Sequence, residues 1–113
     1  MNNIISRENL TRNGNAYLFQ GEEYGGVPIS FFLVYSAPGR GVSVHMHPYE
    51  EIFVLEKGQV TITIGDTTRE ISGGEIVVAP ANTPHKFINE GKEPLQMITL
   101  HPGKRVITQW LEE

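Results

Sequence analysis

The chain has no cysteine among its 113 residues, which excludes disulfides, thiolate metal sites and a cysteine nucleophile. It has no basic excess either. Lys and Arg number 9 against 13 Asp and Glu, for a formal net charge of −4 and a pI near 5.5. Such a balance leaves no electrostatic footprint for nucleic acid or an anionic membrane. No apolar run approaches the length of a membrane span, and the opening Met-Asn-Asn-Ile-Ile-Ser-Arg-Glu lacks the apolar stretch of a secretory leader. The expectation is a soluble, cytoplasmic protein. Low-complexity blocks, linkers and long helical periodicities are also missing, so residues 1–113 are expected to form one domain with a single modest core.

What the chain does have is turn chemistry, with 12 Gly and 7 Pro spread along its length. Short strands are expected at Ile4-Ile5 and Ala16–Phe19, around a turn at Asn13-Gly14-Asn15, and again at Ile29–Tyr35. Further candidates are Val42–His47, Ile52–Leu55, Thr67–Ile71, Ile76–Ala79, His85–Asn89 and Leu95–His101. Val60-Thr-Ile-Thr-Ile64 alternates cleanly, as a strand with one buried and one wet face does. About ten short strands without a long helix read as an antiparallel sandwich or jelly roll. In the tail, Val106 and Trp110, like Ile107 and Leu111, are four apart, which favours a short C-terminal helix over a last strand.

The chemistry concentrates between Gly39 and Gly58. His45 and His47 are one residue apart and point the same way on a strand. Pro48 favours a bend, after which Glu51 opens the next apolar run and can turn back toward the two imidazoles. Two neutral imidazoles and a carboxylate suit a divalent transition metal. The plainer alternative is a strand end that carries polar residues at a turn.

A second segment, Gly74 to Asn89, joins this one, and together the two resemble the cupin family. The first cupin motif spaces Gly, His-x-His, Glu and Gly as Gly39, His45, His47, Glu51 and Gly58 are spaced. The second is met by Gly74, Pro80, His85 and Asn89, whereas Asn82 stands where the pattern has Gly. Asn is the next most tolerant residue for positive φ, so the turn there is expected to survive.

The resemblance implies an all-β cupin jelly roll (a double-stranded β-helix barrel), similar to small, single-domain, quercetin-dioxygenase-like members. It implies one divalent metal per chain on His45, His47, Glu51 and His85, with Fe, Mn, Ni, Co, Cu and Zn all compatible. For function it implies an oxygenase-type enzyme acting on a small enolic or aromatic substrate, in which Glu51 detaches as general base. An isomerase, lyase or cyclase using the metal as Lewis acid, or a non-catalytic binding module, stays open.

Strand parity adds expectations of its own. Phe53, Leu55, Phe87, Val60, Ile62 and Ile64 would make a mostly apolar pocket wall, with Arg40 and Tyr35 as polar contacts or as surface groups. Asn89 suits turn hydrogen bonding better than ligation. His101 shares parity with Met97 and Thr99 and could line the pocket mouth, but a surface or turn histidine before Pro102-Gly103 is the safer reading. Apolar groups on both faces of the sheet expected to carry Phe32, Val34, Val44 and Met46 point to a homodimer.

Overall fold

The computed structural model describes residues 4–111, and two antiparallel sheets account for nearly all of its regular structure. One holds six strands in the order β1-β2-β3-β10-β5-β8: Thr11–Asn13, Ala16–Gln20, Ser30–Ser36, Leu95–His101, Glu51–Lys57 and Ile76–Ala79. The other holds five in the order β11-β4-β9-β6-β7: Gln109–Trp110, Gly41–Met46, His85–Ile88, Gln59–Ile64 and Thr67–Ser72. This is the all-β jelly roll that the motifs imply. Two 3-10 turns, Arg7–Asn9 and Gly21–Glu23, are the helical segments among the described residues. None of their helices is long and apolar enough to cross a membrane.

Period-two patterning drives the assembly. In β6, Val60 and Ile62 are buried while Thr61 and Thr63, alternating with them, are only partly buried. Val60 and Ile62 meet Phe53 and Leu55 of β5 and Met97 of β10 in the core between the sheets. The motif residues outside the candidate ligand set have backbone work. Gly58, at φ 87°, carries the chain from the six-stranded to the five-stranded sheet. A Cβ there would lie 3.0 Å from the Leu95 Cα, so a side chain would be crowded as well as strained by the positive φ. Asn82 has φ 56° and is the one non-glycine with positive φ among the described residues. The departure from the cupin pattern therefore keeps the turn conformation.

Three expectations are corrected. Ile4 and Ile5 lie outside any strand and are exposed. The tail is not helical: Gln109 and Trp110 pair with Met46 and His45 of β4, and the Leu111 N–H donates to the Val44 carbonyl at 3.1 Å. Long-range backbone partners outweigh the four-residue spacing of its apolar side chains. Finally, Val44 and Met46 belong to a different sheet from Phe32 and Val34. The apolar outer face lies instead on the six-stranded sheet, where Phe31 and Leu33 stand beside Leu100 and Ile98, and these beside Ile52 and Val54.

Candidate metal centre

The site forms where the chain leaves one sheet and enters the other. His45 lies on β4 directly opposite His85 of β9. His47 follows the end of β4, and beyond Pro48 Glu51 opens β5 in the facing sheet. The short segment between them therefore sets the carboxylate across the barrel from the imidazoles. All four side chains are buried, and their donor atoms lie within 4.8 Å of one another. Glu51 Oε1 is 3.0 Å from His47 Nε2 and 2.9 Å from His85 Nε2.

The orientation of each ring is fixed from behind. His45 Nδ1 donates to the Ser43 carbonyl at 2.7 Å, His47 Nδ1 to Ile107 at 2.8 Å, and His85 Nδ1 to Thr83 at 2.9 Å. A carbonyl can only accept, so Nδ1 keeps its proton and every Nε2 turns inward. Metal-bound histidines have this same backing. The Nε2 of His47 is buried without an aligned hydrogen-bond partner, a costly state that a cation at the centre would relieve. Three imidazoles and a carboxylate, buried and convergent, fit a divalent transition ion.

Electrostatics agree with that fit. Burial on its own would raise the Glu51 carboxyl, but the close imidazoles of His101, His47 and His85 outweigh it and hold the group far below the usual carboxylate range. Burial pushes His45 down to about 4, helped by its neighbours His85 and His47 against the Ser43 hydrogen bond. His85 is also penalised by burial, yet its bond to Glu51 prevails and raises it above 6.5. The centre is thus a carboxylate among imidazoles, where a metal would compete with protons for the ring nitrogens.

His101 belongs to this site, contrary to the reading of it as a surface or turn residue. It is 1% exposed, and its Nε2 lies 3.1 Å from Glu51 Oε2. Its Nδ1 is 2.7 Å from the Tyr49 hydroxyl, which burial pushes up to about 12. The parity with Met97 and Thr99 was the available signal. The register that sets β10 beside β5 is what brings His101 to Glu51. Trp110 was missed as well, and its ring centroid lies 5.0 Å from that of His45.

A cavity of about 560 Å³ opens on the cluster, reaching His45, His47, Glu51 and His101. Its walls are more polar than parity implies. Phe87 lines it, but Phe53, Leu55, Val60 and Ile62 are closed into the core. The hairpin of β1 and β2, with Gln20, Ser43, Arg40, Thr108 and Trp110, supplies much of the lining. Tyr35 lies away from it on the outer face, where its hydroxyl accepts from Arg7 at 3.0 Å. Asn89 does not ligate. Its amide donates to the carbonyls of Ser36 and Glu93 at 3.0 and 2.9 Å, and its Oδ1 accepts from the Gly91 N–H at 3.0 Å.

Among solved structures, oxalate oxidase in complex with the substrate analogue glycolate superposes with a TM-score of 0.78 at 21% identity, covering 96% of this chain and 63% of that one. A double-stranded β-helix protein from Klebsiella pneumoniae superposes over the full length of both chains, with a TM-score of 0.75 and 18% identity. These likenesses show the fold. By sequence, the chain is 29% identical over 86 residues to auxin-binding protein 1 of Arabidopsis thaliana, covering 68% of this chain and 43% of the relative. It is 36% identical over 59 residues to the H2HPP isomerase of Bacillus subtilis, covering 51% and 25%. The chain spans less than half the length of these two curated relatives. A family model for the cupin domain matches residues 32–101, over the strands that carry all four clustered side chains, and the chain belongs to the cupin family.

Proposed function

We propose that this chain is a metal-dependent enzyme of oxygenase type acting on a small enolic or aromatic molecule. The observation that carries the reading is the convergence of His45, His47, Glu51 and His85, the first three of which line an accessible cavity. A divalent ion held there would supply Lewis acidity and positions open to a substrate's oxygen donors. The chain's own residues would do the rest. The inward Nε2 atoms of the three ring-locked histidines and Glu51 hold the ion, and Glu51 is the general base. Arg40 is the one Arg or Lys among the described residues that line the cavity and offers a partner for an anionic oxygen. Phe32, Phe87 and Trp110 offer faces to a planar ring.

The test is anaerobic reconstitution with Fe(II), followed by nitric oxide as a surrogate for O₂ and then oxygen uptake with a panel of enolic chelators. The expected results are a high-spin iron–nitrosyl resonance that the chelators perturb, and uptake dependent on one of them. Absence of both overturns the oxygenase reading. The likeness to an isomerase favours a second reading, in which the metal polarises a carbonyl and no O₂ is consumed. Turnover of an enolisable substrate by the Zn(II) form without oxygen would select it.

A further inference from the structure

We infer that His101 presents its Nε2–H to the second oxygen of Glu51 and holds it electrostatically, limiting that carboxylate to one ligating oxygen, and is not itself a ligand. The inference rests on the metal-centre reading above and assigns a role to a residue outside the cupin motifs.

The chemistry behind the rings separates His101 from the other three. His45, His47 and His85 each have a carbonyl behind Nδ1, which forces the proton onto that atom. His101 has a hydroxyl there, that of Tyr49 at 2.7 Å. The Tyr49 oxygen already accepts the Ile107 N–H at 3.1 Å. Its own proton then goes to its remaining neighbour, His101 Nδ1, since a part-buried hydroxyl left without an acceptor is penalised. With Nδ1 accepting, the ring's proton is on Nε2, the atom that lies 3.1 Å from Glu51 Oε2. An N–H at that distance is attracted to the carboxylate.

The two carboxylate oxygens are thereby divided. Oε1 faces His47 and His85, and Oε2 faces His101. The set of mutually close donor atoms contains the other three histidines and Glu51 and does not extend to His101. The His101 Nε2–H is out of line with Oε2 in this arrangement, so its present contact with the carboxylate is electrostatic. His101 is therefore a positioning residue that acts through Glu51. It keeps Oε2 from taking a coordination position that substrate or water would otherwise use.

The experiment counts water on Mn(II) by proton relaxation, with Mn(II) retention measured in parallel. Four protein donors in an octahedral shell leave about two waters on the ion. In His101→Ala, Oε2 is free to ligate, and the inner-sphere relaxation is expected to fall by about half with Mn(II) still bound. His101→Gln, which restores a donor, should return it to the wild-type value, and Tyr49→Phe should lower it toward the Ala value. A rise in His101→Ala would make His101 a ligand, and an unchanged value would make it a packing residue; either overturns the assignment while leaving the metal centre standing. Wild-type protein that binds no Mn(II), Fe(II) or Zn(II) would overturn both.

Discussion

His47 and Ile107 lie sixty positions apart, yet the His47 ring donates from Nδ1 to the Ile107 carbonyl at 2.8 Å. The same residue gives its N–H to the Tyr49 hydroxyl, and its neighbour Val106 gives one to the Gln20 side chain at 2.9 Å. The C-terminal segment is thus tied to both sheets. It orients one candidate ligand directly and closes one wall of the cavity with Thr108 and Trp110.

Removing residues 105–113 should therefore weaken metal binding by roughly 10- to 100-fold, the usual effect of losing the group behind a ligating histidine. The fold should persist, because β11 contributes only two paired residues. Competition with a chromophoric chelator measures the affinity, and circular dichroism checks the fold. Equal affinity in the shortened chain would contradict the role given to the segment.

This segment also marks the limit of what the sequence made legible. Spacings from Gly39 to Asn89 are set by local demands, such as a positive φ at Gly58 and Asn82 and alternation along a strand, so motif and barrel could be read together. The four convergent side chains followed from them. Residues whose place depends on which strands become neighbours could not be read this way. His101 lies beside Glu51 only because β10 inserts between β3 and β5. The apolar spacing of Val106, Ile107, Trp110 and Leu111 resembles a helix, but hydrogen bonds to Gln20, Tyr49 and Val44 hold that stretch extended. The pocket walls were misread for a related reason. Parity tells which face is inward, not how deep along the barrel a residue sits.

The ligand set can be tested by subtraction. His45 and His85 pair across β4 and β9, so His45→Ala combined with His85→Ala removes two of the four donors. Metal content after purification and dialysis should fall from about one equivalent to near zero. A full equivalent retained by the double variant would place the metal elsewhere.

Asn89 is wholly buried and bonds to Ser36, Glu93 and Gly91. Asn89→Ala should leave these groups short of partners and cost about 2 kcal/mol, mostly at the buried Ser36 carbonyl. Urea unfolding of the metal-free protein measures the loss. Metal affinity should change little, because Asn89 reaches none of the four donor atoms.

Acid should destabilise the metal-free protein in a defined window. His45 has a folded value of about 4 against an ordinary 6.5, so the unfolded chain takes up its proton first as the pH falls. Stability from this group is fully present above 6.5 and is lost progressively down to about 4. His85 is shifted the other way. Its contribution is complete below 6.5 and fades as the pH rises through its raised value, so it does not mask the acid limb. Unfolding midpoints in urea between pH 7 and pH 4, taken with chelator present, should fall, and His45→Gln should flatten the slope. An equal slope in that variant would assign the window to another group.

The last prediction concerns the outer face of the six-stranded sheet. Ile98 and Leu100 of β10 lie beside Val54 and Ile52 of β5, and these beside Ile76 and Val78 of β8. Ile76 and Val78 are 64% and 55% exposed. Six adjacent apolar positions on three strands carry no charge, and an antiparallel sheet exposed to water would have a polar outer face. A second copy of the chain is the proposed cover, since an uncharged patch is complementary to itself across a two-fold axis. A stable pair needs about 800 Å² from each partner, and a face spanning three strands can supply that area. Ile76→Lys with Val78→Lys places charges at positions already open to solvent, so each chain should fold as before. Light scattering at micromolar concentration should give twice the chain mass for the wild type and one chain mass for the double variant. A wild type of one chain mass would leave this face without a second copy, and the dimer would be abandoned.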